Sequence, residues 1–159
     1  MELLVVVTSI ALLQAFVFAI QVGSARVKHG VNAPAIAGAP EFERAFRVHQ
    51  NTLEQLVILI PSMWMFAQFW RADIAAGLGL VFVIGRQVYR SAYLKDPSGR
   101  SMGFSIGALA TVILLLGALI GAGLVHFVGW GWAAAGPLLA PIATLFAFRG
   151  VVMLVIGNR

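Results

Sequence analysis

Leu3-Leu-Val-Val-Val-Thr-Ser-Ile-Ala-Leu-Leu-Gln-Ala-Phe-Val-Phe-Ala-Ile-Gln-Val22 decides the fold class. Its only long polar side chains are Gln14 and Gln21. Wound as an α-helix at ~1.5 Å per residue, a run of this length crosses the ~30 Å hydrocarbon core of a bilayer. The run has no basic residue ahead of it and outlasts the 7–15 residues of a signal-peptide core, so it reads as a span rather than a cleaved leader. Three more apolar stretches follow, at residues 51–70, 74–93 and 102–128. Residues 136–156 are also apolar, but Pro137, Pro141 and Arg149 interrupt them. That tail is left open between a fifth span and a helix lying at the interface. The chain as a whole agrees: 60% of it is hydrophobic and 11% charged, against roughly 25% charged in a soluble domain. The expected fold is an all-α integral membrane bundle of four helices, one domain over residues 1–159.

The net charge of +5 is unevenly placed. Arg26, Lys28, Arg44 and Arg47 flank the first connection, and Arg90, Lys95 and Arg100 surround the third. With four spans these connections share a side, which the positive-inside rule makes cytoplasmic. The second connection, at Arg71 and Asp73, is short and nearly neutral. The aromatic residues sit within apolar spans rather than among the cations, which argues against nucleic-acid binding. With no cysteine in the chain, any thiol chemistry must use a sulfur that a ligand brings. Asp96-Pro-Ser-Gly99 predicts a tight turn, with glycine permitting a positive φ. In the last span Gly103 and Gly107, then Gly117 and Gly121, recur four apart, a spacing that lets helices approach closely. Pro61 is expected to bend the second span.

Several ionisable groups lie where a spanning helix makes them costly, by roughly 2.5–3.5 kcal/mol each. Arg47, Asn51 and Glu54 are spaced i, i+4, i+7, one stripe of the second helix. Glu54 falls roughly 10 Å further along the axis than Arg47. Arg86, Tyr89 and Tyr93 make a second stripe, i, i+3, i+7, on the third helix. An interhelical ion pair between Glu54 and Arg86 is the plainest account of two of these residues. It leaves Arg47, Asn51 and both tyrosines unexplained, and buried pairs seldom add stability over apolar packing. Two facing stripes with several donors and one carboxylate predict a pocket, open at the cytoplasmic end, for a ligand more negative than positive. Gln14 and Gln21 predict interhelical hydrogen bonds. His49 points off the Asn51 stripe and suits packing or a subunit contact. Trp130 and Trp132 read as interfacial anchors.

Glu41-Phe-Glu-Arg-Ala-Phe-Arg-Val-His-Gln-Asn-Thr-Leu-Glu54 resembles the E-x-x-R-x-x-R-x-x-x-N-x-x-E pattern of the membrane-associated eicosanoid and glutathione metabolism family. Gln21-Val-Gly-Ser-Ala-Arg26 ahead of it, and Gly85-Arg-Gln-Val-Tyr-Arg-Ser-Ala-Tyr-Leu with Pro97 and Arg100 behind it, are similar to that family's first and third helices and following turn. The resemblance covers about residues 10–127. It implies a homotrimer of four-helix subunits that binds glutathione, as co-substrate and without a metal, between neighbouring subunits near the cytosolic end. By the same resemblance Arg26 and Arg47 would hold glutathione's carboxylates, Asn51 its peptide, and Glu54 its ammonium. Arg86, Tyr89 and Tyr93 would line the pocket, and Arg100 would be the catalytic residue that stabilises the thiolate.

Gln55 and His49 depart from the leukotriene-forming members, and His49 agrees with the broad-range transferases. The implied activity is a glutathione transferase acting on lipophilic electrophiles from the bilayer, with glutathione peroxidase activity towards lipid hydroperoxides as a further expectation. A non-enzymatic lipid-binding scaffold of the same fold is the alternative. A small-solute transporter is a third reading, disfavoured because neither inverted repeats nor helices broken near the midplane are found. The short connections favour a bacterial inner membrane over the endoplasmic reticulum.

Overall fold

A computed structural model describes residues 1–135, with side chains to Val128. The tail at 136–156, and the side chains of Trp130 and Trp132, lie outside the described residues. Four helices form in chain order: α1 Glu2–His29, α2 Pro40–Phe69, α3 Ala72–Lys95 and α4 Ser101–Ala135. A single 3₁₀ turn, Pro97–Arg100, leads into α4. α2 and α3 form the central pair, and both pack against α1 on one side and α4 on the other.

By length and hydropathy α1, α3 and the helical stretch Pro97–Val128 are able to cross a membrane. α2 is as long as its neighbours, but its first half carries the Arg47–Glu54 stripe, and this dilutes its apolar character. Its second half supplies core residues Leu56, Leu59, Met63 and Phe66. Those meet Leu4, Val7, Ala11 and Ala15 from α1, Ala75, Ala76 and Phe82 from α3, and Ala110, Leu114 and Ala118 from α4. The opposite faces expose Leu12, Leu13, Phe16 and Val17 on α1, and Leu115, Leu116 and Leu119 on α4. A helix apolar on all sides is what a lipid-facing position requires.

Lipid tails are as apolar as leucine, so close packing and interhelical hydrogen bonds hold the bundle rather than the hydrophobic effect. The paired glycines of α4 serve this packing. A Cβ on Gly103 would collide with the backbone of Tyr89, and one on Gly85 of α3 would come within 2.9 Å of Gly107 N. Gly117 and Gly121 likewise leave room for the rings of Phe66 and Phe69. Gln14 behaves as the sequence leads one to expect, its Nε2 donating to Val83 O of α3 at 3.0 Å. The indole of Trp64 donates to Thr8 Oγ1 at 3.2 Å, and that of Trp70 to Gly117 O at 2.8 Å.

The connections differ from the sequence reading in two respects. α1 runs seven residues past Val22 and ends at Gly30, the only glycine of positive φ among the described residues. Gly23 to His29 thus continue the helix, and the first connection shrinks to residues 30–39. In the third connection Gly99 needs no positive φ. Asp96 accepts hydrogen bonds from the Ser98 backbone N–H, at 3.0 Å, and from the Ser98 hydroxyl, and the chain winds as a 3₁₀ turn. α2 continues as a helix through Pro61.

Candidate functional site

The C-terminal ends of α1 and α3 and the N-terminal ends of α2 and α4 meet at one end of the bundle. Eight cations gather in or near it, Arg26, Lys28, Arg44, Arg47, Arg86, Arg90, Lys95 and Arg100, against four acids, Glu41, Glu43, Glu54 and Asp96. The ion pair Arg71–Asp73 lies at the opposite end, and it is the only one among the described residues. The cations of the crowded end are therefore not neutralised by neighbouring carboxylates. Hydrogen bonds to neutral acceptors hold several of them instead.

Of the α2 stripe only Asn51 meets the α3 stripe. Asn51 Nδ2 of α2 donates to the Tyr89 hydroxyl of α3 at 2.6 Å. Arg86 is fully buried, and its Nε and Nη2 donate to Thr52 Oγ1 at 3.2 and 2.7 Å. Its guanidinium lies 4.0 Å from the centre of the Tyr89 ring, an aromatic face that attracts a cation. The Tyr93 ring follows, its centre 5.3 Å from that of Tyr89. Phe18 and Val48 close the cluster from α1 and α2.

The Glu54–Arg86 ion pair, the plainer alternative to a ligand pocket, does not form. Glu54 is exposed and accepts from Gln50 Nε2 at 3.2 Å, while Gln50 Oε1 accepts from Arg47 Nη1 at 3.3 Å. This places a linked row of polar groups, Arg47, Gln50 and Glu54, on the outer surface of α2, beside exposed Leu53 and Val57. Thr52 is the residue that sequence reasoning overlooked. Its hydroxyl donates to Val48 O at 2.7 Å and so can accept from Arg86 with its lone pairs.

The remaining site residues stand apart within one chain. Arg26 Nη1 donates to Ala35 O at 2.7 Å, and its guanidinium sits 4.7 Å over the Phe42 ring. Arg100 is exposed, with Nη1 donating to Pro97 O at 3.2 Å. Two loop-end cations have structural roles that charge counting hides. Arg44 Nη1 donates to the last carbonyls of α3, Leu94 O at 3.3 Å and Lys95 O at 3.5 Å. Arg90 reaches inward, with Nε donating to Gln21 Oε1 at 2.8 Å and the guanidinium 5.6 Å over the Phe18 ring.

Several known proteins are similar in sequence to this chain. Human microsomal glutathione S-transferase 2 is 43% identical over 119 residues, covering 74% of this chain and 80% of the human protein. An uncharacterized protein of the cyanobacterium Synechocystis is 43% identical over 114 residues, covering 72% and 83%. Mouse leukotriene C4 synthase is 34% identical over 125 residues, covering 79% and 83%. The family model described as the MAPEG family matches residues 4–120, from α1 into α4. The chain therefore belongs to the MAPEG family, the group that its α2 and α3 stripes resemble.

Proposed function

We propose that the protein is a membrane-bound glutathione transferase that works as a homotrimer, with its site at the cytoplasmic end of the bundle. The observation that carries this reading is the exposed row Arg47–Gln50–Glu54 on α2. Charged and amide groups on the outer face of a membrane helix need a partner or a cavity. A neighbouring subunit set against this face would enclose them, and would turn an exposed row into a ligand site between chains.

Glutathione at neutral pH carries two carboxylates, one ammonium and one thiol. The surplus of cations over acids at this end suits that charge, and Glu54 is the one carboxylate of the row, suited to the ammonium. Arg26 and Arg47 hold the carboxylates, with the Asn51 amide on the peptide. Arg86, Tyr89 and Tyr93 line the floor. Burial holds Arg86 rigid on Thr52, so its charge acts on the site without side-chain motion.

Arg100 acts on the sulfur. A free thiol of pKa ~8.5 is only a few per cent ionised at neutral pH. A cation within a few ångströms lowers that pKa by ~1–3 units, enough to make thiolate the main form without a general base. The thiol proton leaves to water. The sulfur then attacks the electrophilic carbon of a lipophilic substrate and, with an aryl halide, the halide departs. The reading is supported by membership of a family whose matched relatives include proteins named as glutathione S-transferase and leukotriene C4 synthase. An inner membrane of a bacterium suits the short connections.

The test is conjugation of glutathione to a lipophilic aryl halide by the detergent-solubilised protein, with thiolate absorbance followed in parallel. Turnover with a thiolate signal is the expected result. A folded protein that binds lipid, forms no thiolate and shows no turnover would instead be a binding scaffold of the same fold.

A further inference from the structure

The outer face of α3 carries a polar stripe that the bundle does not use. α3 meets α2 through Arg86 and Tyr89, so Gln87, Ser91 and Lys95, spaced i, i+4, i+8, lie towards its far side. All three are exposed. Val88 and Ala92 form the ridge beside them, and together these residues line a groove of about 350 Å³ at the cation-rich end of the helix. This face points away from the polar row of α2, so a subunit set against that row leaves the groove towards lipid.

The side chains of Gln87, Ser91 and Lys95 make no hydrogen bond or ion pair among the described residues. The hydroxyls of Thr8, Thr52 and Thr111 each donate to a carbonyl one turn back on their own helix. That of Ser91 does not, and stays available. Gln87 sits roughly 12 Å deeper than Lys95 along the axis, where an amide facing lipid is costly without a partner. Beyond it the face turns apolar, with Ile84, Val81 and Leu80 exposed.

The order down this face is a cation, a hydroxyl, an amide, then hydrocarbon. A phospholipid presents the matching order of phosphate, glycerol esters and acyl chains. The polar region of one leaflet is ~5–8 Å deep, and the flexible lysine stem adjusts the ammonium to the phosphate level.

Two nearby features could repel an anion, and both are engaged. The last carbonyls of α3, the negative end of its dipole, accept from Arg44 at Leu94 O and Lys95 O. Asp96 accepts from Ser98 within the 3₁₀ turn. The surplus of cations at this end disfavours a headgroup with a positive charge of its own.

We infer that this groove binds a phospholipid whose headgroup is a phosphodiester of net negative charge. Its phosphate meets Lys95 and Ser91, an ester carbonyl accepts from Gln87, and an acyl chain lies over Ile84. The site faces away from the Arg86–Tyr89 cluster, so this lipid is a resident ligand and not an acceptor substrate. The inference does not depend on the transferase reading.

The experiment supplies the detergent-solubilised full chain with equal phosphatidylglycerol and phosphatidylcholine of the same acyl chains, and counts the retained lipid by native mass spectrometry. Wild type should retain the glycerol lipid about fivefold over the choline lipid, as one lysine at a membrane surface provides. Lys95→Gln should bring that ratio close to one. Gln87→Leu leaves the charge unchanged and should lower retention of both lipids about two- to fivefold. Lys28→Gln removes the same charge from the last turn of α1 and should leave the ratio as in wild type. Equal falls in Lys28→Gln and Lys95→Gln would reduce the preference to diffuse attraction and overturn the site. Equal retention of both lipids by wild type would do the same, and so would full retention in Gln87→Leu, a readout that stands even if Lys95→Gln fails to fold. Displacement of phosphatidylglycerol by millimolar inorganic phosphate would make this a site for a free anion and overturn the lipid assignment.

Discussion

At the scale of the residue, the centre of the site depends on one hydroxyl. Thr52 Oγ1 accepts from two nitrogens of a buried guanidinium while donating to Val48 O. Arg86 has no carboxylate partner, and its Nη1 is left without an acceptor. Thr52→Val keeps the shape and removes the acceptor, so it should destabilise the protein by about 1.5–3 kcal/mol, the range for a hydrogen bond to a charged group. In an Arg86→Met background the same change should cost little. Thermal unfolding of the four proteins of this cycle measures the coupling, and equal losses in both backgrounds would remove Thr52 from its assigned role. Sequence alone pointed to Arg86, and the one protein partner it offered as an alternative, Glu54, is not the one found. Glu54 is the nearest carboxylate by helical spacing, and a threonine in a helix is ordinarily accounted for by its own i−4 carbonyl. Only the packing of α3 on α2 reveals that the same oxygen has spare lone pairs. Arg100→Ala belongs to this scale too. It should leave glutathione binding largely in place and lower turnover by an order of magnitude or more, as expected for about 1–3 units of lost thiol activation. Unchanged turnover would end its catalytic assignment.

At the scale of the element, the 3₁₀ turn connects stability to the position of Arg100. The Ser98 hydroxyl, and next its backbone N–H, hold the Asp96 carboxyl below the ordinary carboxylate range. The same turn is closed by Gly99 N donating to Asp96 O at 3.1 Å and by Arg100 Nη1 donating to Pro97 O at 3.2 Å. A carboxyl whose folded pKa is depressed binds protons less readily folded than unfolded. Its contribution is fully present above the ordinary pKa of ~3.9 and is lost as pH falls through the lowered folded value. Ser98→Ala should therefore raise the Asp96 midpoint towards the ordinary value, as read by NMR titration of the carboxyl carbon. The variant should also weaken turnover modestly by loosening the turn that carries Arg100. A midpoint unmoved by the substitution would mean that the hydroxyl does not hold the carboxylate.

The glycine spacing of α4 belongs to the same scale. It was readable as a sign of close helix approach, but not as to which residue it admits. The structure puts the Tyr89 backbone against Gly103, beside the site. Gly103→Val should cost about 1–3 kcal/mol through overpacking and displace Tyr89 from Asn51. Lowered thermal stability together with weaker glutathione binding would report both effects, and full stability would contradict the packing.

At the scale of the whole molecule, helix number and connection order were legible because apolar run length is a coarse signal that survives any detail of packing. The boundaries were not. The apolar run ends at Val22, yet α1 continues through Gly23 to His29, because a glycine in a helix is tolerated at a cost of about 1 kcal/mol. Helical spacing alone did not show that Arg47, Gln50 and Glu54 lie on the outer face of α2, away from Arg86; in the proposed homotrimer a second chain would cover them. A homotrimer predicts a particle of three subunits in a mild detergent. It also predicts that Glu54→Ala raises the KM for glutathione while the subunits stay assembled. Monomers that bind glutathione as tightly as the assembly would contradict a site shared between chains.

Orientation is the remaining property of the whole molecule, and the absence of cysteine from the chain makes it directly measurable. Cations crowd the first and third connections, while the second holds a neutralised Arg71–Asp73 pair. The membrane potential and the insertion machinery act on that asymmetry, retaining lysine and arginine on the cytoplasmic side. Ile36, in the first connection, is 62% exposed, and the Arg71 side chain in the second is 63% exposed. A single cysteine introduced at either position is therefore the only thiol of the protein and is open to reagent. Ile36→Cys should react with a membrane-impermeant maleimide in inverted vesicles and resist it in spheroplasts, with Arg71→Cys showing the opposite pattern. Reversal of both would put Arg100 and the polar row on the outer side, away from the cytosolic pool of glutathione. The proposed reaction would then lack its co-substrate, so this labelling bears on the chemistry as directly as on the topology.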